Sequence, residues 1–174
     1  MKNVNINEYI SVKNAGIVLL NNYIPMLFER IGLTKEKAFI NDTARTDAPH
    51  YLQFLVTGFG ETEDNLLAVN KVLCGIQLSE TLLPGININE GQQQLIESLM
   101  QAIIGYWPEI GNTSIEGFRG NWLIREGLLR EFEERWELTV KKRAYDLLIS
   151  CSPFSFSIIK YPWMPKPLHV NWPY

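Results

Sequence analysis

Apolar residues recur at three- and four-residue spacing along most of this chain and switch to every second residue only after position 135. Between Ala15 and Ile31, the positions Leu20, Tyr23, Ile24, Leu27, Phe28 and Ile31 follow helical spacing. Pro25 sits either in the first turn of a helix from about Tyr23 to Ile31, closed by Gly32, or at a kink in a longer one. Pro49 opens a short helix through Thr57, ended by Gly58. Its Tyr51, Leu52, Phe54, Leu55 and Val56 are apolar nearly all round, as in a central core helix. Acidic residues at 61–64 then precede a helix over Asn65–Cys74, capped by Gly75. Asn89 and Gln92 have capping-box spacing, and Leu95, Ile96, Leu99, Met100, Ile103 and Trp107 form one stripe that Pro108 stops. Ser114 caps a helix with Ile115, Phe118 and Trp122 on one face. Gly127 interrupts, and a short charged helix with Glu131, Glu133, Glu134 and Arg135 follows.

Trp136, Leu138 and Val140 then alternate with Glu137, Thr139 and Lys141, which predicts a half-buried strand. A helical turn over Tyr145–Ile149 leads to Phe154, Phe156 and Ile158, which alternate with serines. Ile159 and Tyr161 continue out of phase, as at a bulge. The two strands are expected to pair antiparallel. The last fourteen residues carry four prolines and four large aromatics. Proline fixes φ and removes a donor, so this tail is expected to be extended, neither helix nor interior strand. Tyr161, Trp163, Met164 and Trp172 make it too apolar for a solvated tail. They either cover the chain's own core or anchor a neighbouring protein, and they are the candidate partner-binding residues.

The expected fold class is mainly α (α+β): a compact helical domain with a small antiparallel β-ribbon near the C-terminus and an extended Pro/Trp-rich tail. Residues 1–174 read as one domain, with a loosely ordered stretch at 1–13, a helical body at 15–135, the ribbon region at 136–162 and the tail at 163–174. Hydrophobic residues at 46% and charged residues at 20% are ordinary for a soluble globular chain. A net charge of -3 argues against nucleic acid and anionic membranes as partners. The start lacks a signal-peptide core and no apolar run is long enough to span a bilayer, so a cytoplasmic product is expected, with no membrane insertion.

Candidate chemistry is sparse. Cys74 and Cys151 form no CxxC pair and read as free thiols. His50 and His169 are the only histidines, too few for a three-His metal site, and no HExxH motif is present. Gly58-x-Gly60 follows a helix and lacks the third glycine of a dinucleotide fingerprint. Glu61, Glu63 and Asp64 lack calcium-loop spacing. Lys141, Lys142 and Arg143 read as a solvated strand edge. No catalytic, metal or cofactor-binding residue is assigned, and no cofactor is expected.

Five groups of motifs together resemble the contractile injection system tape measure proteins of phage-tail-like particles. The first is Asn14-Ala15-Gly16-Ile17-Val18-Leu19-Leu20 with Ile24-Pro25-Met26-Leu27-Phe28 and Ile31-Gly32-Leu33. The second is Tyr51-Leu52-Gln53-Phe54-Leu55-Val56-Thr57-Gly58, and the third Val69-Asn70-Lys71-Val72-Leu73-Cys74-Gly75. Trp107 with the run Asn112 to Arg119 is the fourth. Trp136-x-Leu138-x-Val140, Tyr145-Asp146-x-Leu148 and Ile159-x-x-Pro162-Trp163-Met164, ending near Trp172, close the series. The resemblance implies a non-enzymatic structural or assembly component with no catalytic residues to carry over. Its implied partners are particle subunits of the inner tube, baseplate or cap, or further copies of itself.

One departure matters. A ruler sets tube length by its own extension, and 174 residues in one unbroken helix reach only about 260 Å. Prolines and glycines forbid that helix. The expectation is a short, domain-only member at a tube end, in a baseplate or plugging the lumen. A cytoplasmic adaptor or chaperone that loads cargo or assists assembly is the alternative, and a hydrolase built on Cys151 and a histidine is a third reading.

Overall fold

The apolar run at the start of the helical pattern lies at the centre of the molecule. In the computed structural model, which describes residues 8–174, every residue from Ala15 to Leu20 is buried. This run is a 3-10 helix, Ala15–Tyr23, that leads directly into α1 (Ile24–Ile31). Pro25 stands in the first turn of α1, where its missing N–H is no loss. Gly32 closes the helix at φ 89°, its N–H returning to Glu29 and Phe28 carbonyls. A two-residue hairpin follows, β2 (Thr34–Lys35) against β3 (Ala38–Phe39).

Helix α2 runs from Asp42 to Thr57, longer than the segment predicted from Pro49. Asn41 caps it by accepting the Ala44 amide at 2.8 Å, so Pro49 lies inside the helix rather than at its start. The predicted 65–74 helix divides into a 3-10 turn, Asp64–Leu66, and α3, Ala68–Leu73. The capping box at α4 (Glu90–Gly105) is formed in both directions: Gln92 N–H donates to Asn89 Oδ1 at 2.8 Å, and Asn89 N–H to Gln92 Oε1 at 3.1 Å. Ile96, Met100 and Ile103 of its stripe are buried. Helix α5 (Ile115–Phe118), capped by Ser114, continues into a π-turn over Arg119–Leu123 that buries Trp122.

The β structure departs from the expected ribbon. Five strands form one sheet in the order β1-β4-β5-β7-β6: β1 Ile10–Val12, β4 Gly127–Glu131, β5 Trp136–Val140, β6 Ile158–Ile159 and β7 Leu168–Asn171. Only the β5 range matches its prediction. Residues 10–12, expected to be loosely ordered, pair antiparallel with β4; the part of that expectation that falls on residues 1–7 lies outside the described residues. The charged segment at 131–135 is no helix, because Gly127 to Glu131 pairs antiparallel with β5 and sets Leu129 against Leu138 in the core. The second strand is two residues long and pairs with β7, not with β5. The expected slip in phase is present: Phe154 and Phe156 are buried, Ile158 is exposed and Ile159 is buried. The tail itself becomes an interior strand. Leu168 to Asn171 contain no proline, so their amides can complete ladders, parallel to β5 on one side and antiparallel to β6 on the other. The prolines at 167 and 173 bracket the strand rather than prevent it.

Candidate functional site

The tail residues are held by the chain itself. Tyr161, Met164 and Trp172 are buried, and Trp163 is partly buried. Between Tyr161 and Met164 the backbone turns, with Met164 N–H donating to Tyr161 O at 3.0 Å. The Tyr161 hydroxyl donates to Asn21 O at 3.0 Å, and burial pushes its phenol pKa up. Trp163 donates its indole N–H to Leu73 O at 2.9 Å, taking up a carbonyl at the end of α3. Its ring packs on Phe39, Tyr161 and Phe28 at centroid distances of 5.1, 5.3 and 5.8 Å. Gly75 makes this approach possible: its φ is +69°, and a Cβ there would lie 2.2 Å from Trp163 O.

Trp172 ends the tail in a buried charged cage. Its indole N–H donates to Asp146 Oδ2 at 2.9 Å, and its ring meets Phe156 at 5.6 Å. Asp146 is fully buried with Arg125, which reaches both carboxylate oxygens at 2.5 and 2.8 Å. The guanidinium lies 5.2–5.3 Å from the rings of Trp122, Tyr145 and Trp172, and its Nε donates to Asn121 O at 2.8 Å. Burial by itself raises the Asp146 pKa. The Arg125 guanidinium, the Arg143 amide and the Trp172 indole outweigh it and hold the carboxyl below its ordinary value. The attraction within a buried ion pair offsets its desolvation only where further hydrogen bonds satisfy the remaining lone pairs and protons, so the Trp172 indole, donating to Asp146 Oδ2, completes the cage as well as covering it.

The sequence singled out neither Arg125 nor the polar knot at the other side of the core. There Asn14 Nδ2 donates to Gln53 Oε1 at 2.9 Å and to Asn70 Oδ1 at 2.6 Å. Asn70 Nδ2 donates to Pro49 O at 2.9 Å and to Gln53 Oε1 at 3.1 Å. Gln53, a polar residue standing alone in the apolar run Tyr51 to Val56, carries a signal of this kind; Asn14, Asn70 and Arg125, each beside a charged residue, do not.

These contacts join the segments that carry the resemblance. Asn14, Gln53 and Asn70 come from the first three groups. Arg119 of the fourth donates to Leu55 O at 2.9 Å and Phe54 O at 3.1 Å in the second. Trp163 of the last bonds Leu73 of the third. The motif residues thus hold one another, and Thr113 to Glu116 and Arg119 of the fourth group also line a cleft with Glu97, Gln101 and Ile104 of α4.

Chemical groups elsewhere stand apart. His50 is buried with Nε2 on Leu83 O at 2.6 Å, and His169 pairs within β7. Cys74 is buried, and burial pushes its thiol well above its ordinary pKa. Cys151 is exposed, 3.7 Å from Ser150 Oγ. Neither cysteine is bonded to a histidine among the described residues, and no group of three metal-ligating side chains occurs among them. No helix among the described residues is long and apolar enough to cross a membrane.

The family model for contractile injection system tape measure proteins matches residues 2–172. The chain belongs to that family, and with it to the structural components of contractile injection systems. No curated protein and no solved structure matches it significantly.

Proposed function

We propose that these residues form a docking module of a contractile injection system, seated at a tube end, in the baseplate or as a plug in the lumen, and do not act as the ruler. One observation carries this reading. The longest helices, α2 and α4, have 16 residues each and reach about 24 Å. The tail that could have been an extended arm is folded back as β7. A segment built this way has a fixed size and presents a fixed surface, which suits capping, plugging or joining. The family's lack of a catalytic motif to carry over supports a non-enzymatic role.

Purified particles test the reading. Immunogold labelling or cryo-electron microscopy is expected to place the protein at one discrete position. Density spread along the whole lumen would overturn it. Absence from intact particles, with the protein present in the producing cells, would favour the adaptor or chaperone role instead.

A further inference from the structure

No Lys or Arg stands between Lys71 and Arg119, a stretch that holds Glu80, Glu90, Glu97, Glu109 and Glu116. Helix α4 lies within it. Its Ile96, Met100 and Ile103 face the core, and Glu90, Gln93, Gln94, Glu97, Ser98 and Gln101 are turned to solvent. Glu80 is held by Arg45. Glu90, Glu97, Glu109 and Glu116 form no ion pair with a described residue. A surface of one sign draws the opposite charge in a partner.

Glu97 and Glu116 both line the cleft between α4 and α5, whose volume is about 480 Å³. That is within the range of ligand pockets. The cleft is amphipathic. Ile104 and Ile115 line it half-buried, while the exposed Glu97, Gln101 and Glu116 supply its polar margin. Arg119 lines it too, but its guanidinium is engaged with the last turn of α2. Nε donates to Leu55 O at 2.9 Å, Nη2 donates to Phe54 O at 3.1 Å, and the group lies 5.8 Å from the Phe54 ring centre. Carbonyls at a helix C-terminus carry partial negative charge and offset part of the guanidinium charge. Burial lowers the Arg119 pKa, and the Glu97 and Glu116 charges oppose that shift through space without forming an ion pair. Two carboxylates against one guanidinium leave the cleft negative. Apolar lining with a carboxylate margin complements a side chain that has an apolar stem and a cationic head.

We infer that this cleft receives a Lys or Arg side chain from a neighbouring protein, its methylene stem against Ile104 and Ile115 and its charged head at Glu97 and Glu116. The wall that supplies Ile115 and Glu116 belongs to the fourth group of motifs, so the site falls in a part of the chain that carries the resemblance. The inference rests on the proposed function in one respect, that the neighbour is a subunit of the particle.

Peptide titration of the purified protein, followed through its amide resonances by heteronuclear NMR, tests the site. The probes are end-blocked glycine pentapeptides with Arg, Lys, norleucine or Glu at the centre. The Arg and Lys probes are expected to shift the amides of Gln101, Ile104, Ile115 and Glu116 with a millimolar Kd, and the norleucine and Glu probes are not. E97Q/E116Q is expected to weaken binding about fivefold while circular dichroism and thermal midpoint stay at wild-type values. E133Q/E134Q, at exposed carboxylates that do not line the cleft, is expected to leave it unchanged. No shift at about 20 mM probe, equal shifts with norleucine, or binding indifferent to E97Q/E116Q would overturn the inference. In producing cells, E97K/E116K is expected to stay folded in the lysate and be lost from purified particles; its retention there would overturn the docking role. If the probes fail while the wild-type protein co-purifies with particles, the proposed function stands alone. Probe binding by a protein absent from particles would uphold the cleft and overturn the particle reading.

Discussion

Trp172 decides whether the tail is core or interface, and its contacts set the size of the answer. Trp172→Phe keeps an aromatic ring near Arg125 and Phe156 but removes the donor to Asp146. A hydrogen bond to a charged group contributes about 1.5–3 kcal/mol. Asp146 retains Arg125 and the Arg143 amide, so the lower end applies, and the smaller ring adds a little. A loss of about 2 kcal/mol is expected. Trp172→Ala also removes the ring from a site only 5% exposed, which by itself costs about 3–5 kcal/mol. Against a total stability of roughly 5–15 kcal/mol, the alanine variant is close to unfolding. Urea titration followed by far-ultraviolet circular dichroism measures both. With a slope of about 1–3 kcal/mol per molar, the phenylalanine variant should lose about 1 M in midpoint. An alanine variant within about 0.5 kcal/mol of wild type would refute the argument for an anchored tail. If that variant also failed to assemble, Trp172 would belong to a partner interface.

Asp146→Asn leaves the Arg125 charge buried without its counter-ion and is expected to destabilise by about 3–5 kcal/mol in thermal or chemical denaturation. Because the native Asp146 pKa is lowered, its contribution is full above the unfolded value near pH 4 and drains as pH falls through the native one; in a stability-against-pH curve, Asp146→Asn should remove that part of the acid slope. Gly75→Ala meets both a left-handed φ and the Trp163 carbonyl, so a loss of at least about 2 kcal/mol is expected, and an unchanged denaturation midpoint would contradict the packing of the tail on α3. The two-residue turn between β2 and β3 holds Glu36 and Lys37 at φ 51° and 66°, so E36N/K37G should stabilise by about 1 kcal/mol and raise the melting temperature by roughly 2–4 °C in a thermal scan.

What the sequence revealed was local. The capping box of α4, the glycine closures at 32, 58 and 75 and the alternation of β5 are each written within a few residues, and each is where it was expected. What escaped was pairing at a distance. The β4 segment ends in Glu131, the first of the charged residues that suit a helix, but its partner β5 fixes it as a strand. The four residues of β7 between two prolines were hidden by their flanks. The tail aromatics were legible as residues that must be covered, yet not what covers them. Arg125 and Asp146 lie 21 positions apart, and only the folded chain shows them as one cage. The resemblance reached further than periodicity, because its blocks are the parts that interlock.

The strand order has a kinetic consequence. β1 must find a partner more than a hundred residues away, and β7 must enter between strands laid down before it. Each of these closures loses entropy long before it gains contacts, which predicts folding in milliseconds to seconds rather than microseconds. No early fragment can finish the sheet alone. Half-made copies would therefore lack a finished surface, and a growing particle would recruit only subunits that had completed their journey.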